Sequence, residues 1–112
     1  MTFFTQLKDR RLGKLNKPQK RSDKWPNMRK AFLQLHPACA SCGTTEKLEV
    51  HHVIPIHVSP DMEFAESNLI TLCEESSGNH HLWTGHLGDF HSWNINVRED
   101  SEILKRKIDD RP

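Results

Sequence analysis

The 112-residue chain is short of apolar material. Hydrophobic residues make up 35% of it and mean hydropathy is −0.72. No run approaches the roughly 20 apolar residues that cross a bilayer, so no membrane contact is expected. A chain this long has room for one small domain, which buries roughly two thirds of its unfolded surface. With so little to bury, a covalent or metal staple is expected. Disulfides cannot pair completely, because there are only three cysteines. The stretch 1–7 is too short and too polar to read as a secretory signal. An odd cysteine count, a Cys-x-x-Cys pair and eight histidines favour a reduced, cytosolic, metal-binding protein. Internal repeats are absent, and so are low-complexity tracts beyond one basic segment.

That basic segment is hidden by a net charge of +1. Residues 1–30 hold ten bases against Asp9 and Asp23, giving +8, and the remainder holds six bases against thirteen acids, giving −7. Residues 1–21 read as an arm, because Gly13, Pro18 and the charge run break any helical period. A one-sign block at a terminus is either a solvated tail or a polyanion-binding arm. Lys20, Arg21, Lys24, Arg29 and Lys30 are the candidate contacts to a phosphate backbone.

Residues 22–112 read as the single folded domain. Over 22–35 a helix is predicted, capped by Ser22 or Asp23, with Pro26 in the first turn where a missing N–H is tolerated. Met28, Ala31, Phe32 and Leu35 form its apolar face; Arg29, Lys30 and Gln34 lie opposite. Pro37 ends it. Residues 48–54 alternate as a strand, with Leu48, Val50, His52 and Ile54 on one side and Glu49, His51 and Val53 on the other. The adjacent histidines His51 and His52 therefore start in opposite directions. A loop over 55–67 leads to a second strand over 68–73, giving an antiparallel hairpin by the simplest topology. A helix is expected over 79–87, and another from Asp100 or Ser101 as N-cap to Ile108, using Ile103, Leu104 and Ile108.

Two ligand constellations follow. Cys39 and Cys42, with Gly43 permitting the turn, read as a zinc knuckle. Cys73 and one histidine would complete a closed, structural site; His80 is favoured, with His81 as the alternative. If His81 binds zinc, His86 becomes the candidate for the second ion. The second set is His51, His52, Asn68 and His81, whose nitrogen and oxygen donors suit an exchangeable divalent ion such as Mg2+, Mn2+ or Zn2+. His57 and His91 read as surface or loop residues.

Cys39 and Cys42, then His51-His52-x-x-Pro55, then Asn68-Leu69-x-x-Leu72-Cys73, then His80-His81, together resemble the HNH endonucleases, the ββα-metal nucleases. The similarity covers 36 to about 97. The segment from Gly85 to Val97 is similar to a subgroup found in phages and bacterial genomes. The resemblance implies a small α+β fold, with a two-stranded hairpin plus helix, a structural zinc and flanking helices. It implies His51 and His81 on a catalytic divalent ion, Mg2+, Mn2+ or another. It implies catalytic roles for His52, as general base, and for Asn68, which orients the loop and the base. Cys39, Cys42, Cys73 and His80 would hold the zinc, although most zinc-bearing members follow the second cysteine pair directly with His. The expected activity is hydrolysis of DNA to a 5′-phosphate and a 3′-hydroxyl, by a monomer or weak dimer in a bacterial or phage-infected cell. The alternative is a zinc-stapled nucleic-acid-binding module without activity.

Overall fold

Helix α1 (Trp25–Leu35) opens the part of the chain that the computed structural model describes, residues 22–74 and 77–111. The arm at 1–21, with Lys20 and Arg21, lies outside the described residues. Pro26 sits in the first turn, as its missing N–H requires, but the N-cap is Lys24 and no side chain caps the helix. Ser22 instead accepts the Trp25 N–H at its carbonyl and the Lys24 N–H at its hydroxyl.

The apolar face of α1 is rotated from the one predicted. Trp25 and Phe32 are buried with Val50 and Leu69, and Met28, Leu33 and Phe64 pack around them. Leu35 is 71% exposed. The stripe is therefore 25, 28, 32 and 33, and Arg29, one turn from both ends of it, turns toward the sheet. Its Nε donates to Glu49 Oε1 at 2.8 Å and an Nη donates to the Leu48 carbonyl at 3.2 Å. Burial opposes ionisation of Glu49, yet the Arg29 contact prevails and holds the carboxyl below its ordinary range. Lys24 and Lys30 are exposed, as expected.

Strands β1 (Leu48–His52) and β2 (Leu69–Cys73) pair antiparallel, with Leu48 opposite Cys73 and His52 opposite Leu69. β2 is buried at every position. A two-stranded ribbon is marginal alone, and here each side is covered. α1 packs on the Val50 side. Cys39, Ile70, Leu72, Cys73 and Val97 form a second cluster. Val97 begins α2 (Val97–Asp109), one turn earlier than predicted. The predicted cap, Ser101, is instead inside the protein, hydrogen-bonded to Ser41 at 3.0 Å. Ile103, predicted to be apolar contact, is half exposed. The segment predicted as a helix over 79–87 is a five-residue π-helical turn (His81–Gly85). Buried Asn94 fastens that turn to α2, donating to the Thr84 carbonyl at 3.0 Å and to Asp100 at 2.8 Å.

The observed architecture is the small α+β hairpin-plus-helix fold that was expected. Among the described residues, no helix is long and apolar enough to cross a membrane. Leu72 is fully buried in the second cluster, beside Gly85 of the π turn. Leu72→Ala is expected to lower unfolding free energy by about 2–5 kcal/mol in urea titration; a loss under about 1 kcal/mol would contradict a packed second cluster.

Candidate active site

The knuckle is built by the backbone before any metal is considered. The Cys39 N–H bonds to the Thr44 carbonyl and the Gly43 N–H to the Cys39 carbonyl, both at 2.8 Å. Gly43 takes φ +81, a left-handed value that other residues adopt at a penalty. The Ala40 N–H reaches Thr71, which sets the knuckle beside β2. One ligand atom from each of Cys39, Cys42, Cys73 and His80 lies within 4.8 Å of every other. The Cys42 and Cys73 sulfurs are 3.9 Å apart, and His80 Nδ1 is 3.2 Å from Cys73 Sγ and 3.9 Å from Cys39 Sγ. Sulfur and nitrogen ligands around a tetrahedral zinc stand roughly 3.5–3.8 Å apart, so these donors fit that ion. Burial, with Cys39 and Cys42 close by, pushes the Cys73 thiol up to about 12. Burial also raises Cys42. Three sulfurs this close ionise together only against a compensating cation.

The alternation of β1 separates the two histidines as predicted. His51 turns toward His81 and His86, with ring centroids 5.1 and 4.8 Å away. One nitrogen of each of these three lies within 4.8 Å of the others. His80 thus joins the cysteines while its neighbour His81 joins His51. His86, which the sequence offered only if His81 took the zinc, stands in the cluster beside His81.

Each ring of this cluster is oriented from outside. His81 Nδ1 bonds to Glu74 Oε1 at 2.9 Å, and His86 Nδ1 donates to the Ser92 carbonyl at 2.7 Å. With the Nδ1 protons placed there, the Nε2 lone pairs of His81 and His86 face one another across 3.3 Å. Such outer bonds fix tautomer and aim in imidazole metal ligands. His51 Nε2 is buried with no hydrogen-bond partner among the described residues. Burial, then the nearby His81 and His86, push the His51 ring down to about 2. It is therefore neutral near pH 7, the state a ligand needs. Burial also lowers His86. A buried, partnerless imidazole nitrogen beside two aligned lone pairs fits a divalent ion. Gly85 makes room for the His51 ring: a Cβ there would lie 3.1 Å from both His51 Cε1 and Leu72 Cδ1.

His52 points to the other side, 4.7 Å from the Trp25 ring centroid. Its Nε2 lies 3.0 Å from the Glu63 carbonyl oxygen. That oxygen only accepts, so the neutral ring carries its proton on Nε2 and its lone pair on Nδ1. Asn68 is buried and ties the intervening loop at both ends. Its Oδ1 accepts the Ile54 N–H at 2.8 Å, and its Nδ2 donates to the carbonyls of Ile54 and Met62 at 3.0 and 3.2 Å. It contacts no ligand cluster.

Both His51 and His52 line one cleft of about 380 Å3, with His81, His86, Phe90 and Trp93. His57 and His91 are exposed turn residues, as the surface-or-loop reading had them, and they line it too. Nothing in their local sequence signals this; the loop and the π turn bring them there. A larger hollow of about 820 Å3 lies between the end of α1 and β2. Its polar groups are already engaged, His36 with Glu66 and Arg98 with the Ser67 and Leu69 carbonyls.

Residues 39–75 match the family model of the HNH endonuclease. The match spans about a third of the chain and marks a likeness to that family. The match takes in Cys39, Cys42, His51, His52, Asn68 and Cys73, and stops short of His80, His81 and His86. No curated protein and no solved structure matches the chain significantly. The remaining ligand candidates therefore come from the segment just beyond the matched stretch.

Two outcomes follow from the donor geometry. Glu74→Ala is expected to weaken divalent-ion binding at the histidine cluster by about 10–100-fold, measured by calorimetric titration. Metal held by the cysteines should remain, and unchanged affinity would show that Glu74 does not aim His81. Stripping metal from the cysteine cluster with a strong chelator should unfold the protein, because the binding free energy of a structural site is folding free energy. A native circular dichroism spectrum after complete removal would contradict the staple.

Proposed function

We propose that this chain is a metal-dependent DNA endonuclease that hydrolyses phosphodiester bonds. The observation that carries the reading is the convergence of His51, His81 and His86 in the same cleft as His52. A module that only binds nucleic acid has no use for that arrangement. The cysteine cluster would hold a structural zinc through Cys39, Cys42, Cys73 and His80, with no position left open. The three imidazoles, which line the cleft, would hold the catalytic ion. They include no carboxylate, a set that suits Zn2+ or Ni2+ better than Mg2+.

A divalent ion bound there supplies a positive charge that stabilises the leaving 3′ oxygen. The chain's own residues do the rest. His52 Nδ1 accepts a proton from the attacking water while Nε2–H remains on the Glu63 carbonyl, which supports the charge that develops on the ring. Asn68 is a positioning residue, because its three bonds hold the loop whose Glu63 carbonyl aims His52. Trp25 keeps the imidazole from rotating by packing against its face. Lys24 and Lys30, exposed on α1, with Lys20 and Arg21 of the arm, supply phosphate contacts that carry no sequence information. Arg29 contributes mainly by holding α1 to β1.

His52→Ala is expected to reduce cleavage of supercoiled plasmid by at least about 100-fold, with zinc content and melting temperature unchanged. Full cleavage by that protein would remove His52 as the base. Asn68→Ala should slow cleavage by about tenfold or more, because one misplaced base is enough for that. It should also lower stability, because two buried carbonyls and an N–H lose their partner. Wild-type rates in Asn68→Ala would contradict its positioning role.

A further inference from the structure

The cleft has walls that a phosphate alone does not explain. At about 380 Å3 it lies within the roughly 300–1,000 Å3 of clefts that enclose small organic ligands. Three of its histidines, His51, His81 and His86, converge. Besides the histidines the lining is Val50, Pro55, Ile56, Phe90, Ser92 and Trp93, with no carboxylate and no lysine or arginine. A surface that met only the backbone of a duplex would need cations there instead.

Phe90 is the exposed member of that wall. It is 57% accessible, yet its ring centroid is 5.0 Å from that of His86 and 5.7 Å from that of His81. Its position is fixed by a fastened turn. The Ser92 N–H bonds to the Asp89 carbonyl at 2.8 Å, the His91 N–H to Asp89 Oδ1 at 2.9 Å, and the Ser92 carbonyl holds His86 at 2.7 Å. One part of the ring therefore braces two of the converging imidazoles and the remainder is presented to whatever enters. An aromatic face held in place beside a phosphate-cleaving site suits a nucleobase. Inside a duplex a base is stacked on its neighbours and cannot reach it, so only a base that has left the stack can.

We infer that the cleft is a seat for one unpaired nucleotide of DNA, with its base stacked on Phe90 and its phosphate directed at the histidines. The inference rests on the nuclease reading and narrows its substrate to single-stranded or locally opened DNA. His57 and His91 at the rim are placed to donate to the adjoining phosphates.

The test separates binding from cleavage. Fluorescence anisotropy follows a labelled 12-nucleotide single strand and the duplex of the same sequence, using full-length protein with one zinc equivalent and no second ion. The wild type should bind the single strand at least about fivefold more tightly. Phe90→Ala should lose about tenfold on the single strand and less than about twofold on the duplex. Phe90→Trp should keep the preference. Phe90→Ala binding the single strand like the wild type would overturn the seat, and so would Phe90→Leu with full affinity, since apolar bulk would then suffice. Plasmid cleavage by the same proteins is scored independently. Stacking without any cleavage would keep the seat and sink the nuclease reading. Cleavage with no single-strand preference would do the reverse.

Discussion

Five residue pairs between Leu48–His52 and Leu69–Cys73 decide where everything else goes. The ladder places Cys73 at one end, within reach of the knuckle, and His51 and His52 at the other. Side chains alternate across a strand, so His51 and His52 leave on opposite sides. A slip of one residue would exchange them, sending the general-base candidate toward His81 and His86. Register is therefore a functional quantity here. It is pinned by burial of all five β2 residues and by the tie from Thr71 Oγ1 to the His36 carbonyl at 2.8 Å.

The end of β2 couples the two clusters. Cys73 and His80 belong to one, and Glu74 and His81, each the next residue in the chain, serve the other. Anything that orders Cys73 and His80 also sets the positions from which Glu74 aims His81. The knuckle is tied in as well, because Ser41 bonds to Thr84 of the π turn at 3.2 Å and to Ser101 of α2 at 3.0 Å. A protein with a small apolar core thus holds its reactive side chains through polar bonds and, in our reading, through zinc.

Much of this was legible in the sequence because it depends on short-range periodicity. The strand alternation gave the divergence of His51 and His52, and the Cys-x-x-Cys spacing with Cys73 gave the first cluster. His80 was also read as the companion of those cysteines. What depended on packing was not legible. The phase of α1 is set by where Trp25 and Phe32 meet Val50 and Leu69, which moved Arg29 to the sheet side. His86 was hidden by winding. Residues five apart lie about 140° apart around an α-helix, but a π turn with its i→i+5 spacing brings them to one side. His57 and His91 reach the cleft through loop paths that no local pattern encodes. The start of α2 moved because Asn94 and Asp100 bond to each other.

The central claim is that one short hairpin organises two metal centres of different chemistry, and native mass spectrometry during zinc titration tests it most directly. The account predicts two ions per chain. Cys39→Ser should retain at most the weaker one, and His86→Ala should lose only the weaker one and stay folded. A single ion per chain in the wild type, or a His86→Ala protein that still binds two with unchanged affinity, would contradict it.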